Sequence, residues 1–114
     1  MDIYKESLLM HKENCGKIDV VTKVKTENEH DLALAYSPGV AQPCREIAKD
    51  PSLLNTYTAR ANMIAVVSDG SAVLGLGNIG ARASLPVMEG KCVLFRQFGG
   101  VSAFPICIES QDNN

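Results

Sequence analysis

Met63-Ile64-Ala65-Val66-Val67-Ser68-Asp69-Gly70, then Val73-Leu74-Gly75-Leu76-Gly77-Asn78-Ile79-Gly80, then Ala81 to Phe98, then Ala103-Phe104-Pro105-Ile106-Cys107-Ile108: this stretch decides the fold. Residues 63–67 are a continuous apolar run bounded by Ser-Asp-Gly, the pattern of a strand buried on both faces. Residues 73–80 are a glycine-rich turn. From Ala81 to Phe98 the apolar positions Leu85, Met88, Cys92 and Phe95 recur at helical spacing, and Pro86 is expected to kink this helix or to start a second one after Ser84 or Leu85. Gly99-Gly100 ends it. Residues 103–108 read as a second strand, weakened by Pro105. Strand, turn, helix, strand is a βαβ unit with parallel pairing.

Working outward, residues 2–15 favour a helix, with Ile3, Leu8 and Leu9 on a modest apolar stripe and Cys15-Gly16 as its stop. Residues 18–25 partly alternate and predict a short strand or an extended arm. Thr26 to Asp31 is polar and turn-like. Pro38 suits the first position of a helix that continues from Val40 to Lys49. Asp50-Pro51 stops it, since the residue before proline leaves the helical region, and Ser52 suits the cap of a following turn over 53–57. The fold class expected is α/β: N-terminal helices and an extended arm, then a small, mostly parallel βαβ sheet. Residues 1–25 form the helix and arm, and residues 26–114 the domain proper.

Composition bounds the function. The chain has 114 residues, 46% hydrophobic and 21% charged, enough for one globular core. A net charge of -2 offers no electrostatic attraction to nucleic acid or to an anionic membrane. No apolar run reaches spanning length, and the start carries no secretory leader, so a cytoplasmic chain is expected. The cysteines Cys15, Cys44, Cys92 and Cys107 form no C-x-x-C pair and read as free thiols. His11 and His30 lack metal-ligand spacing.

Gly75-Leu76-Gly77-Asn78-Ile79-Gly80 matches G-x-G-x-x-G. After a strand, that pattern suggests a dinucleotide turn with pyrophosphate at the next helix's N-terminus. Two features oppose it: Ser68 to Leu74 separates strand from turn, and no acidic residue stands about 20 positions on, where Gly99-Gly100-Val101 lies. The other readings are a tight turn for helix packing, or a wall of a substrate pocket.

Three segments in register resemble the malic enzyme family: Tyr36-Ser37-Pro38-Gly39-Val40-Ala41; Val66-Val67-Ser68-Asp69-Gly70 through Gly80; and Leu85-Pro86-Val87-Met88-Glu89-Gly90-Lys91 with Phe98-Gly99-Gly100-Val101 and Ala103-Phe104-Pro105-Ile106-Cys107. Order and spacing fit the short, prokaryotic-type members, from Lys17 onward. The resemblance implies oxidative decarboxylation of malate to pyruvate and CO2, using NAD or NADP and Mg2+ or Mn2+. It implies Lys91 as the general base for the C2 hydroxyl and Tyr36 as the general acid for C3. Such a lysine needs apolar neighbours or a nearby cation to surrender its proton near neutrality, and Val87, Met88, Cys92 and Val93 are candidates for the former. Asp69, Gly75 and Asn78 are candidate substrate contacts, Asp69 and Asn78 being also suited simply to close the turn, and Arg82 suits either a malate carboxylate or a helix surface. Larger relatives carry a malate-binding arginine where this chain has Ser71-Ala72-Val73, so carboxylate recognition must come from elsewhere. Tyr4 and Tyr57 have no such context.

The resemblance further implies a homodimer contacting through the N-terminal region. It places the metal ligands and the nucleotide domain beyond Asn114. No cofactor or metal is therefore expected on this chain alone, and it is expected to be inactive by itself. A malolactic reaction uses related chemistry and stays open. Two other readings stand beside it: a nucleotide-binding βαβ module using Gly75–Gly80, and a non-catalytic dimerisation domain.

Overall fold

The computed structural model describes residues 2–112. In chain order its elements are helix α1 (Ile3–Asn14), α2 (Glu29–Ala35), α3 (Ala41–Lys49), a 3-10 turn Pro51–Leu53, α4 (Leu54–Tyr57), a 3-10 turn Ala59–Asn62, strand β1 (Met63–Ser68), helix α5 (Gly80–Gly99) and strand β2 (Ser102–Cys107). The chain divides into two units. One joins Met1–Asp19 to Met63–Asn114, and the other is Val20–Asn62. Asn113 and Asn114, part of the polar end, lie outside the described residues.

In the first unit β1 and β2 pair in parallel from Met63↔Ser102 to Ser68↔Cys107, with α5 as the crossover packed on both. This is the expected βαβ unit. Pro105 is accommodated opposite Val66 in a two-stranded sheet, where each strand has a free edge. Two expectations are corrected. The strands are not buried on both faces: Ile64, Val67 and Ile106 stay exposed, because within this unit a single helix covers the sheet, whereas the all-apolar pattern belongs to a sheet covered twice. Helix α5 continues through Pro86 as one helix, so no second helix starts after Ser84 or Leu85.

The buried stripe of α5 is Ala81, Ser84, Met88 and Cys92: Met88 and Cys92 are buried as expected, whereas Leu85 and Phe95 are exposed. The first turns approach the sheet through small residues. Ser84 is fully buried, its hydroxyl satisfied by donating to Ala81 O at 2.7 Å. Gly100, with φ 65, ends α5 in the left-handed conformation.

Helix α1 is capped as its sequence directs. The Asp2 carboxylate accepts from Tyr4 N at 2.9 Å, and Cys15 (φ 52) with Gly16 (φ 100) turns the chain out of the helix. Residues 18–25 form no strand, since the described sheet holds β1 and β2 alone.

In the second unit, α2 begins inside the segment expected to be a turn. Asn28 caps it by accepting from Asp31 N at 2.9 Å, so the polar run is a helix start and not a loop. Helix α3 starts at Ala41, later than expected. Gly39 N donates to Ala33 O and Val40 N to Tyr36 O, folding Pro38 into the preceding turn. Asp50 ends α3 as expected. Its carboxylate, not Ser52, caps the next turn, accepting from Ser52 N and Ser52 Oγ. No residue in α2, α3 or α4 is buried.

Candidate functional site

The carboxyl ends of parallel strands are where α/β folds place ligands, because the helix N-terminus and the outgoing loops meet there. Here Asp69 and Gly70 follow β1, residues 108–111 follow β2, and Gly80 opens α5. The loop between β1 and α5 is closed at its base: Gly70 O accepts from both Ile79 N and Gly80 N at 3.1 Å. Gly70 is buried, with φ 71, and a Cβ there would lie 1.9 Å from Gly80 O. Only glycine fits this crossing. At the far end of the loop Val73 bridges Gly77, and Leu74 is fully exposed.

A cleft of about 350 Å³ opens at this end, lined by Asp69, Ile79, Gly80, Arg82, Glu109 and Gln111. The Arg82 guanidinium forks onto the Glu109 carboxylate through Nε and Nη2. Asn78 and Gln111 exchange two amide hydrogen bonds of 2.9 Å. The Ser71 hydroxyl and amide donate to the Asp69 carboxylate and hold its pKa below the usual range. So Asp69 faces the cleft, and Asn78 is engaged with Gln111 at its rim. Gly75 stands in the loop tip, outside the lining. Arg82 has its carboxylate partner within the chain. Glu109 and Gln111 gave no signal in the sequence, since their partners lie 27 and 33 positions away. Only the βαβ topology brings them there.

Lys91 lies elsewhere on α5. Nine residues from Arg82 carry it roughly 13 Å along the axis and about half a turn round. It is exposed beside an apolar groove of about 450 Å³ lined by Leu94, Phe95, Phe98 and Gly99. Leu94, Phe95 and Phe98 stand three, four and seven positions on from Lys91, along the same helix face. Within the chain they flank the amine without enclosing it. Tyr36 belongs to the second unit, at the C-cap of α2, and its side chain is exposed.

Cys92 is buried against the sheet. Burial first, and the Glu89 carboxylate second, push its thiol pKa up, which suits a packing role. All four cysteines are free thiols. Among the described residues no three His, Cys, Asp or Glu side chains converge as a metal cradle, and the glycine loop does not meet a strand end as a dinucleotide turn does. No described helix is long and apolar enough to cross a membrane.

A parallel βαβ unit with a polar cleft at its strand ends defines an α/β domain of the ligand-site class. The chain belongs to the malic enzyme family: the family model for the malic enzyme N-terminal domain matches residues 15–114. The chain is 55% identical over 112 residues to a bifunctional malic/malolactic enzyme of Bacillus subtilis (strain 168), covering 98% of this chain and 27% of that protein. It is 58% identical over 97 residues to an NADP-dependent malic enzyme of Haemophilus influenzae, covering 85% of this chain and 13% of that one. Among solved structures, the malic enzyme of Pyrococcus horikoshii superposes with a TM-score of 0.93 at 56% identity, over 97% of this chain and 26% of the other. The NAD-dependent malic enzyme of Thermotoga maritima does so with 0.89 at 47%, over 98% and 29%. The chain thus spans about a quarter, or less, of the length of these relatives.

Proposed function

We propose that this chain is the substrate-side domain of a longer enzyme that oxidises and decarboxylates malate, and that its own contribution is proton transfer. The supporting observation is the family match over residues 15–114 combined with the Tyr36 and Lys91 motifs standing in register within it. In this reading the nicotinamide and divalent metal, when bound by the longer polypeptide, supply the hydride acceptor and the electron sink.

The residues of this chain carry the protons. Lys91 takes the proton of the malate C2 hydroxyl as that carbon becomes a carbonyl. After CO2 has left, Tyr36 delivers a proton to C3 of the resulting enolate, giving pyruvate. An exposed ammonium is a poor base at neutral pH, so Lys91 needs a drier setting than this chain gives it. The apolar wall of Leu94, Phe95 and Phe98 beside it suits that need once a further protein surface lies over the groove.

The cleft at Asp69, Gly80 and Arg82 lies about 13 Å along α5 and half a turn from Lys91, so it does not hold the malate on which Lys91 acts. NAD-dependent and NADP-dependent enzymes both occur among the relatives, so both nucleotides belong in the assay. A homodimer in a cytoplasmic setting completes the proposal.

The test is an assay of the full-length polypeptide with malate, Mg2+ or Mn2+, and NAD or NADP. Stoichiometric reduced nucleotide and pyruvate are expected. Lactate formed without net nucleotide reduction would replace this reading with the malolactic one. Saturable NAD binding by the 114-residue chain alone would favour the nucleotide-binding module.

A further inference from the structure

The turn of α5 that leads into Lys91 is the least self-supporting part of that helix. Pro86 has no amide to give the Arg82 carbonyl, and Gly90 is a poor helix former. That same turn is gripped from outside by the segment just after α1. Lys17 N donates to Glu89 Oε1 at 2.8 Å. The Lys17 ammonium donates to Pro86 O at 2.7 Å and to His11 Nε2 at 2.5 Å. The His11 ring is set for this, since its Nδ1 hydrogen is directed to Ser7 O at 2.7 Å, leaving Nε2 as the acceptor. Gly16 permits the approach: its φ is 100, and a Cβ there would lie 2.7 Å from Glu89 Oε1. Lys17, His11 and Glu89 are all half-buried, so the Lys17–Glu89 and Lys17–His11 bonds are partly shielded from competing water.

We infer that Gly16, Lys17 and Glu89 form a brace that holds the Pro86–Lys91 turn, making Lys17 and Glu89 positioning residues for the Lys91 amine; the inference rests on the proposed role of Lys91 as base. Neither residue touches substrate in this account. Their carboxylate, amide and ammonium supply from outside the fixation that Pro86 and Gly90 withhold from inside. Proton transfer demands this, because a base displaced by about 1 Å can lose on the order of 100-fold in rate.

The experiment uses the full-length polypeptide carrying Glu89→Ala, Glu89→Gln, Lys17→Met or Lys91→Ala. It measures kcat and KM for malate, and hydrogen exchange of the peptide spanning Met88–Cys92. Glu89→Ala is expected to lower kcat by at least about 10-fold with KM for malate nearly unchanged, and to speed exchange in that peptide. Glu89→Gln keeps an acceptor for Lys17 N and is expected to restore most of both. Lys17→Met keeps the backbone bond and is expected to show a smaller change of the same kind; it also serves if Glu89→Ala does not fold.

Wild-type kcat with unchanged exchange in Glu89→Ala, or equal losses in the Gln and Ala variants, would overturn the brace. Full activity in Lys91→Ala would instead remove the base assignment, and the exchange data would still report on the brace. The two failures are therefore separate.

Discussion

At Asp69 a carboxylate is held by the residue two positions on. The hydroxyl and amide of Ser71 favour its ionised form, so its folded pKa lies below that of the unfolded chain, ordinarily near ~3.9. The interaction is therefore fully present above that ordinary value and is lost as pH falls through the lower, folded one. Ser71→Ala should move the Asp69 midpoint up toward the ordinary carboxylate range in an NMR titration. An unmoved midpoint would show that Ser71 does not hold the group. Individual side chains were the least legible scale in the sequence. Lys91 and Tyr36 stood out only through their motifs. Nothing near Asn78 in the chain foretold that Gln111 would take its amide, and nothing near Arg82 foretold Glu109. Contacts of that range depend on topology, which local pattern does not carry.

At the scale of elements, periodicity and stop signals carried most of the fold. Helix α1 with its Cys15-Gly16 exit, both strands, their parallel pairing and α5 with its glycine stop were all readable. The misses have physical causes. Helix α2 begins in polar residues that also suit a turn, although Asn28 followed by Asp31 was a readable capping signal. Half of the expected stripe of α5, Met88 and Cys92, is buried; Leu85 and Phe95 are exposed instead, and the small residues Ala81 and Ser84 complete the buried face. The β1–α5 loop depends on the Gly70–Gly80 crossing. Gly70→Ala would force a methyl group against the Gly80 carbonyl at a positive φ, and a loss of more than about 3 kcal/mol is expected from overpacking and backbone strain together. Urea unfolding measures it, and a loss below roughly 0.5 kcal/mol, the size of an ordinary surface change, would contradict this account of the crossing.

At the scale of the whole molecule, the chain is unusual for what it leaves uncovered. Ile64, Val67, Leu94, Phe98, Ile106 and Ile108 are exposed in the first unit, and no residue of the second unit's α-helices is fully buried. An exposed apolar face was expected from the resemblance, but an apolar run reports that a surface will be covered without saying by what. With relatives about four times as long or more, the covering surfaces are proposed to come from the remainder of a longer polypeptide or from a second copy.

Lys91 and Tyr36 belong to different units, and the proposed chemistry divides between them: one group removes a proton from oxygen, and the other returns a proton to carbon. The most direct test crosses two variants with two half-reactions in the full-length polypeptide: malate oxidation, and exchange of pyruvate methyl hydrogens with deuterated solvent. Lys91→Ala is predicted to cut malate oxidation by about 10²–10⁴, and Tyr36→Phe to cut pyruvate exchange by a similar factor, as expected for loss of a general base and a general acid. Near-wild-type malate oxidation in Lys91→Ala, or near-wild-type exchange in Tyr36→Phe, would contradict the division of labour proposed here.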